Sequence, residues 1–531
     1  MPNKVRIYQI ALPFDHDEKA LQKKALEKTG FSQSDIIGIS IVKRSMDTRF
    51  HKKPGFIYCL DIEVKEGVRI QDGLEILPQS QPHEDIVYGS SRISHRPVVV
   101  GTGPGGLFAA YWLAQNGYSP LILEQGQEIG KRKQAIENFH NTRIMSPTSN
   151  YVFGEGGAGS YSDGKLNTGV TSGYIAQILK IMVDCGAPHE ILYVSPPHIG
   201  SDRLRAVIIQ LRKRIIEWGG EFRFETKVTN LIVHSGKIAG VVTDKGEIPA
   251  DLLVLATGSH DQDTFAMLSS CGIFMEKKPF QMGVRIEHPQ EFIDKKQYGK
   301  YSGCAGLPPA NYRLVGPESK ERCQVCTFCM CPGGEVMAGT GTPGFLSTNG
   351  MSNYRRDSGF ANAALITTFF PEEMEDNPLA GLFYRQKIEK AAFLAGKGDY
   401  TAPAQNAGDF ISDRLGALPA TSYRFQVKPV RISSFMPEKF LVALKKALPS
   451  FEEKMPGFIS SGLLIAPETR ASCPIKITRD KDSMQSLSCQ NLYPVGEGAG
   501  YAGGIISAAL DGIKAAKVII STFSRPGMLK D

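Results

Sequence analysis

The sequence predicts an α/β protein built around a Rossmann-like nucleotide-binding fold, and two observations carry this prediction. Residues 98–123 form the pattern of an apolar strand, a glycine-rich turn, a helix and a second apolar strand. Residues 1–85 precede this unit with the pattern strand, helix, strand, strand. We therefore expect a parallel sheet for the main domain and a small α+β, ferredoxin-like βαββ domain in front of it.

The glycine-rich turn has the spacing G-x-G-x-x-G, which is typical of dinucleotide binding. Gly101 permits the tight turn, Gly103 lets a pyrophosphate approach the backbone, and Gly106 lets the helix pack closely on the strand. Alternatively, the glycines only form the turns of an ordinary βαβ crossover that binds no ligand. An acidic residue at the end of the second strand, placed to accept hydrogen bonds from a ribose, favours the dinucleotide. The predicted cofactor contacts here are Gly101, Gly103, Pro104, Gly105, Gly106 and Glu124.

The composition is that of an ordinary globular protein, with 531 residues, 42% hydrophobic and 22% charged. This length predicts two to four domains. The net charge of +7 is small for this length and does not indicate a nucleic-acid-binding protein. Ten cysteines in so long a chain do not make a disulfide scaffold. No signal-peptide pattern follows Met1 and no apolar run is long enough for a bilayer span, so we expect a soluble cytoplasmic protein.

A basic stretch, KRSMDTRFHKK at 43–53, lies between the last two strands predicted for the N-terminal segment. It is either a solvated hairpin loop or a contact for RNA, a partner or an anionic substrate. The side chains that would carry an RNA contact are Lys43, Arg44, Arg49 and Lys52. Residues 72–96, bracketed by prolines, predict a linker into the main domain.

A second glycine-rich stretch, FGEGGAGSYSDGKL at 153–166, cannot be a regular helix or strand. Its backbone N–H groups could form an anion-binding nest or lie against a flat ring, although a flexible surface loop has the same composition. Upstream, Arg132 either reaches a phosphate or the ribose or lies on a surface helix face. A later buried strand ends on Thr257 and Gly258, small residues that suit close approach to a cofactor. The contacts predicted from the loop are Gly157, Gly159, Ser160, Ser162, Gly164 and Lys165.

The order of these motifs, followed by a β-meander and LATG, resembles the two-dinucleotide-binding-domain flavoproteins. This resemblance implies FAD, extended along the first nucleotide fold. The C-terminal stretch 491–516 supplies the matching last piece, where the ribityl chain and flavin ring meet a helix N-terminus. Most relatives have an aspartate where this sequence has Glu497. The further cofactor contacts that the resemblance implies are Val228, Gly496, Glu497, Gly503, Gly504 and Ile505.

More narrowly, GEGGAGSYSDGKL, FCMCPGG, MSNYRRDS and GEGAGYAGGI resemble the bacterial FAD-dependent dehydrogenases, often called NAD(FAD)-utilizing dehydrogenases. The resemblance covers nearly the whole chain. It implies a discontinuous FAD-binding domain with an inserted α+β substrate domain. The expected parts are 1–90 for the N-terminal domain and linker, 91–275 and 461–531 for the two pieces of the FAD domain, and 276–460 for the insert.

Four cysteines in CQVCTFCMCPGG open an alternative, because C-x2-C-x2-C is also an iron–sulfur spacing. The last gap is too short for that motif and no histidine follows for zinc, so no metal is predicted. We expect a strand that places Cys329 and Cys331 on the same face, near the flavin or substrate. Tyr354 lies in a polar loop with two arginines, which is either an anion-recognising edge or solvated. The catalytic candidates are Cys329, Cys331 and Tyr354.

These observations predict an FAD-dependent oxidoreductase, a dehydrogenase or reductase that transfers hydride between a small organic substrate and flavin N5. NAD(P)H or an electron-carrier protein is the expected electron partner, although no second G-x-G-x-x-G unit is present to hold a nicotinamide. The alternatives are a flavin monooxygenase and an RNA-associated flavoprotein that uses the basic N-terminal domain. Nucleic acid is not the expected partner.

Overall fold

The computed structural model describes residues 3–49, 53–78, 86–318 and 322–526. The N-terminal part has four strands and one helix, and its sheet has the order β4-β1-β3-β2 with antiparallel neighbours. This is the sheet of a ferredoxin-like domain in which a loop at 65–74 replaces the second helix. Its elements are β1 (Asn3–Pro13), α1 (Glu18–Thr29), β2 (Ile36–Asp47), β3 (Gly55–Val64) and β4 (Glu75–Ile76).

The basic stretch is not simply a hairpin loop, because β2 continues to Asp47 and includes its first residues. The Arg44 guanidinium lies over the Phe56 and Tyr193 rings, at 5.1 and 5.6 Å from their centroids. Further along, Arg49 pairs with Asp47 at 2.6 Å. Lys52 lies outside the described residues. Arg44 and Arg49 thus have partners within the protein.

The first piece of the nucleotide domain continues the chain through five helices and eight strands. Its elements are β5 (Val98–Val100), α2 (Pro104–Gln115), β6 (Leu121–Leu123), α3 (Ile129–Thr142), α4 (Tyr174–Asp184), β7 (Val194–Ser195), α5 (Ser201–Glu217), β8 (Glu221–Arg223), β9 (Val228–His234), β10 (Lys237–Thr243), β11 (Gly246–Pro249), β12 (Leu253–Leu255) and α6 (Gln262–Ser270). Helix α2 begins at Pro104, a residue that suits the first helical position because its fixed φ is helical and it has no N–H to leave unpaired. Strand β7 leaves this domain and pairs with β2 of the N-terminal sheet.

The insert and the C-terminal piece follow. Their elements are β13 (Met275–Lys277), β14 (Phe280–Pro289), α7 (Gln290–Tyr298), β15 (Cys326–Cys331), β16 (Glu335–Ala338), β17 (Thr348–Met351), β18 (Phe360–Phe369), α8 (Ala380–Gly396), β19 (Ala402–Asn406), α9 (Ala407–Ile411), β20 (Val427–Pro429), α10 (Glu438–Lys454), β21 (Leu463–Glu468), β22 (Ile475–Ile477), β23 (Leu492–Pro494) and α11 (Ile505–Thr522).

The nucleotide sheet has the order β23-β12-β5-β6-β8 and all its strands are parallel. Because side chains alternate along a strand, Val99 and Val254 face α2 and α11, whereas Val98 and Leu253 face the meander β9–β11. The chain order reverses between β5 and β12, which is where doubly wound sheets bind their ligands, beyond the carboxyl ends of the strands. The predicted α/β class, with its discontinuous nucleotide domain, is confirmed.

The insert is a mixed six-stranded sheet with the order β15-β18-β14-β21-β19-β20. Strand β21 pairs with both β14 and β19, so this sheet extends beyond residue 460, where the sequence placed the end of the insert. All six residues of β21 are buried, as a central strand requires. Helix α10 packs on the sheet through Phe440, Leu444 and Phe451. In the described part of the chain no helix is both long and apolar enough to cross a bilayer.

Helices α2 and α11 pack backbone to backbone at Gly105 and Gly512, and this contact yields a stability prediction. A Cβ at Gly512 would overlap the Gly105 carbonyl. We expect Gly512→Ala to lower the free energy of unfolding by about 1–3 kcal/mol in urea titrations, because the helices would have to separate. Lys514→Ala, on the exposed side of the same helix, is the control and should change it by less than about 0.5 kcal/mol. Equal effects of the two substitutions would contradict the prediction.

Candidate functional site

Two helix N-termini face the crevice beyond the parallel strands, and neither has a side-chain cap. Helix α2 begins after Gly103 and α11 begins after Gly504, with no capping hydrogen bond and no acidic residue in the first turn of either helix. An uncapped N-terminus presents unpaired N–H groups and a partial positive charge. The two ends therefore suit a diphosphate at α2 and an electron-rich ring edge at α11, and these residues fit FAD.

The three glycines of the first motif have different surroundings. A Cβ at Gly101 would overlap the Ala256 carbonyl, and a Cβ at Gly106 would overlap the Gly101 carbonyl. A Cβ at Gly103 would meet no protein atom within 4 Å. Gly101 and Gly106 are thus required by packing within the protein, whereas the open space at Gly103 is available to a ligand.

Glu124 follows β6 and is 6% exposed. Its carboxylate accepts hydrogen bonds from the Thr102 N–H at 3.0 Å, the Thr102 hydroxyl at 2.6 Å and the Gly126 N–H at 2.9 Å. The side chain is therefore held rigidly at the carboxyl end of the strand that neighbours β5. Its contact with a ribose stays a prediction.

Arg132 is fully buried, so it does not lie on a surface helix face. Its guanidinium donates to the Asn150, Glu155 and Gly157 carbonyls at 2.7 to 3.0 Å and to the Ser160 hydroxyl at 2.7 Å. Burial lowers the pKa of Arg132 to about 10. Arg132 therefore shapes the second glycine-rich loop. Its Nη2 has no partner among the described residues.

The loop that Arg132 holds spans the two helix N-termini. A Cβ at Gly157 would lie 3.2 Å from the Gly103 Cα, and a Cβ at Gly159 would lie 3.5 Å from the Ile505 side chain. The structure thus brings together the three glycine-containing segments from which the sequence predicts the cofactor site. Val228 is buried at the start of the meander, 7% exposed.

Gly258 follows β12 with a positive φ of 74°, and a Cβ there would meet no protein atom. Next to it, the Ser259 hydroxyl donates to Glu497 at 2.9 Å, and burial raises the pKa of Glu497. The Ser259 carbonyl accepts from Arg385 of the insert at 2.5 Å. Glu497 is therefore held by a protein hydroxyl, and its contact with the ribityl chain stays a prediction.

A buried polar cluster joins the glycine-rich loop to the insert. The Lys165 ammonium lies 2.7 Å from the Asp163 carboxylate and donates to the Cys331 sulfur at 3.8 Å. Asp163 also accepts from Arg356 at 2.9 Å and from the Ser352 hydroxyl. Lys165 was predicted as a cofactor contact and Cys331 as a catalytic candidate. No local sequence pattern indicates a role for Asp163 or Ser352, because only the fold brings them to Lys165 and Cys331.

Burial and the neighbouring charges determine the protonation states of Asp163 and Cys331. Burial alone would raise the pKa of Asp163, but Lys165 and Arg356 hold it well below its usual range. Burial raises the pKa of the Cys331 thiol to about 11, against the opposing effect of Lys165. At neutral pH the cluster therefore contains a carboxylate, an ammonium, a guanidinium and a protonated thiol.

Cys329 and Cys331 do not share a strand face, contrary to the prediction. The register against β18 slips between Phe328 and Cys331, and Cys329 has a φ of 43°, so the strand contains a β-bulge. The extra residue turns Cys329 outward, exposed, whereas Cys331 is 1% exposed. Within the described ranges, no three His, Cys, Asp or Glu side chains are grouped so as to hold a metal ion.

Tyr354 flanks the cluster and does not enter it. Its hydroxyl donates to Glu190, and its ring stacks on the His198 ring with centroids 5.6 Å apart. The Arg203 guanidinium lies 4.1 Å from the same ring centroid. Burial and Arg356 lower the pKa of His198 to about 4, so this imidazole is neutral at pH 7.

A cavity of about 270 Å³ lies on the insert side of the glycine-rich loop. The nucleotide domain supplies its α3 wall, Tyr161 and Arg205. The insert supplies residues 333–335, 351–353, 357 and 358 and Arg424, including the Ser352 that contacts Asp163. The cavity and the polar cluster thus share a wall.

Comparison with protein families agrees with this geometry. Residues 279–471 match the FAD-dependent protein, C-terminal domain-like model, and residues 99–151 match an NAD(P)-binding Rossmann-like domain. Residues 4–63 match a domain of unknown function. The family matches show that this chain is an FAD-dependent protein, with FAD as its cofactor.

An "Uncharacterized protein" of Clostridium beijerinckii is 39% identical over 535 residues, covering 98% of this chain and 99% of that protein. The chain therefore belongs to the same family as that protein. Among solved structures, L-proline dehydrogenase from P. horikoshii is 14% identical with a TM-score of 0.33, covering 82% of this chain and 94% of its own. Glycine oxidase from Bacillus cereus is 12% identical with a TM-score of 0.30, covering 80% and 94%.

The open space at Gly103 gives a test of the cofactor site. Gly103 has a φ of −66° and a ψ of 175°, which alanine adopts without strain, and a Cβ there meets only open space. We expect Gly103→Ala to leave the melting temperature of the FAD-free protein unchanged and to weaken FAD binding about tenfold or more, because the methyl group would occupy the space of the diphosphate. The measurement is FAD titration followed by flavin fluorescence.

The matched control is Gly38→Ala in β2, where a Cβ is equally unobstructed. It should change neither stability nor FAD affinity. Full FAD affinity in Gly103→Ala would place the diphosphate elsewhere.

Proposed function

We propose that this protein is an FAD-dependent dehydrogenase or reductase that acts on a small organic substrate held between the nucleotide domain and the insert. The observation that carries the proposal is the position of the Lys165–Cys331 cluster, formed where the insert meets the loop that spans both helix N-termini. FAD bound along these termini supplies hydride transfer through N5. The protein's own groups bind the substrate and manage its protons.

The cluster can hold and deliver a proton at Cys331 Sγ. With a pKa near 11 the thiol is protonated at neutral pH, and the adjacent ammonium stabilises the thiolate that remains once the proton leaves. Asp163 keeps Lys165 charged and oriented. Cys331 is thus our proposed proton donor to the substrate and Lys165 its electrostatic partner.

The other two catalytic candidates take different positions in this proposal. Tyr354 keeps His198 in place by stacking, and its hydroxyl is bonded to Glu190, so we assign it a positioning role. Cys329 is held by its backbone, since its carbonyl accepts from Arg285 at 3.1 Å and from the Cys331 thiol at 3.2 Å. The β-bulge at Cys329 turns the Cys331 side chain into the protein interior. The proposed cofactor contacts remain those predicted from the sequence, with Arg132 acting through the loop.

The first experiment is an anaerobic visible spectrum of the FAD-loaded protein before and after titration with NADH and with NADPH. We expect the oxidised flavin bands to bleach with one of the two nicotinamides, because the proposal needs a hydride donor. Bleaching by neither would make a carrier protein or the substrate itself the donor. A protein that takes up no FAD would overturn the proposal.

Proximity of Cys331 to the flavin has a separate spectroscopic test. A thiolate in contact with oxidised flavin gives long-wavelength charge-transfer absorbance, whereas a thiol does not. Because the thiol pKa is raised to about 11, we expect this band to be absent at pH 8 and to appear in a rapid pH jump toward 11. Lys165→Met should move its appearance to higher pH, since a positive charge that favours the thiolate is removed.

Cys331→Ser should abolish the band at every pH. The control is Cys326→Ser, on the same strand and partly buried, which should leave the band unchanged. A band that persists in Cys331→Ser would show that another group lies against the flavin.

A further inference from the structure

The cavity beside the polar cluster has a size that restricts its ligand. Its volume of about 270 Å³ lies just below the range of about 300–1,000 Å³ that drug-sized ligands occupy. A dinucleotide does not fit there. The cavity is therefore suited to a small organic molecule, and its lining includes none of the residues predicted to contact FAD.

Most charged groups around the cavity are already paired. The paired side chains are Lys133 with Glu137 and Arg424 with Glu335, each 3.6 Å apart, and His140 with the Tyr151 hydroxyl at 2.6 Å. Arg205 differs, because no carboxylate in the described part of the chain lies within 4.0 Å of its guanidinium. Arg205 is half-buried, with its guanidinium 4.8 Å from the centroid of the Tyr161 ring. Among the described residues, Arg205 is thus a positively charged side chain in the cavity lining with no carboxylate partner.

Tyr161 provides a second, independent observation. It is 6% exposed, and its hydroxyl has no hydrogen-bond partner among the described residues. A buried hydroxyl without a partner costs free energy that a bound acceptor would restore. The Tyr161 ring is fixed between Arg132 and Arg205, each 4.8 Å from its centroid, and lies edge-on to Tyr151. The hydroxyl is therefore rigidly placed.

The remaining lining is mainly apolar or aromatic, with Ile136, Met351 and the Tyr151 ring. Asp357 is exposed at the mouth, where water screens its charge. An unpaired guanidinium and an unpaired hydroxyl beside an apolar wall are complementary to a carboxylate on an apolar body.

We propose that the cavity binds a small carboxylic acid with an apolar or aromatic body, with its carboxylate between Arg205 and the Tyr161 hydroxyl. This inference rests on the proposed function in one respect, because it takes the bound acid to be the class of substrate that the proposed dehydrogenase or reductase acts on. Ser352 in the cavity wall donates to Asp163, the carboxylate that pairs with Lys165, so the cavity is linked to the polar cluster through one hydrogen-bonded side chain.

The test is equilibrium dialysis of the FAD-loaded protein with radiolabelled benzoate, and with benzamide as the uncharged molecule of the same shape. We expect one benzoate to bind per chain, and benzamide to bind about tenfold more weakly or worse, because a charge-assisted hydrogen bond is lost. A saturable shift of the flavin spectrum with benzoate should follow the same binding curve. Absence of benzoate binding, or equal binding of benzamide, overturns the inference.

Three variants locate the binding. Arg205→Gln should weaken benzoate binding about tenfold or more, and Tyr161→Phe should weaken it while keeping the ring between the two arginines. The control is Lys133→Gln, which also removes one positive charge from the lining but leaves Arg205 in place, and it should bind benzoate as the unmodified protein does. Equal affinity of Arg205→Gln and the unmodified protein contradicts the proposal.

The two proposals fail in different ways. Flavin reduction by a nicotinamide is measured without benzoate, so its failure leaves benzoate binding intact. Loss of benzoate binding leaves the flavin reduction intact. Melting temperature and bound FAD of Tyr161→Phe show whether the variant is folded.

Discussion

The structure depends on the close packing of α2 against α11, which Gly105 and Gly512 permit by removing the side chains between the two backbones. This contact places two uncapped helix N-termini beside the same crevice, although about 400 residues separate them in the chain. Unpaired N–H groups at both ends favour negative charge, which bound FAD would supply with its phosphates at one end and its flavin edge at the other.

Arg132 positions the second glycine-rich loop, which connects the two helix N-termini to the rest of the site. A buried guanidinium is costly unless its N–H groups are bonded, and the carbonyls of the glycine-rich loop provide most of the partners. The loop is thereby held across both helix ends, and its continuation delivers Asp163 and Lys165 to the insert. A residue first considered as a phosphate ligand is therefore an organiser of the loop.

The insert provides the chemistry that the nucleotide domain lacks. A bulge in β15 turns Cys331 inward, and Arg356 approaches from the loop after β17 to share Asp163 with Lys165. Burial raises the pKa of the Cys331 thiol and keeps it protonated, while Lys165 and Arg285 make loss of its proton less costly than it would be with burial alone. The adjoining cavity is linked to this cluster through Ser352 and Asp163, and Arg205 is the cation that we propose as the anchor of a substrate there.

The sequence by itself determined the nucleotide fold, the FAD assignment and the ferredoxin-like N-terminal sheet, because glycine spacing, apolar strand runs and alternation are local patterns with direct physical meaning. It also nominated Lys165 and Cys331 separately. Only the tertiary structure decided that they meet, that Cys329 faces outward, and that Asp163 and Arg205 belong to the site. The reason is that a one-residue bulge reverses side-chain direction, and that pairing of charges across 150 or more residues depends on strand order, which no local pattern records.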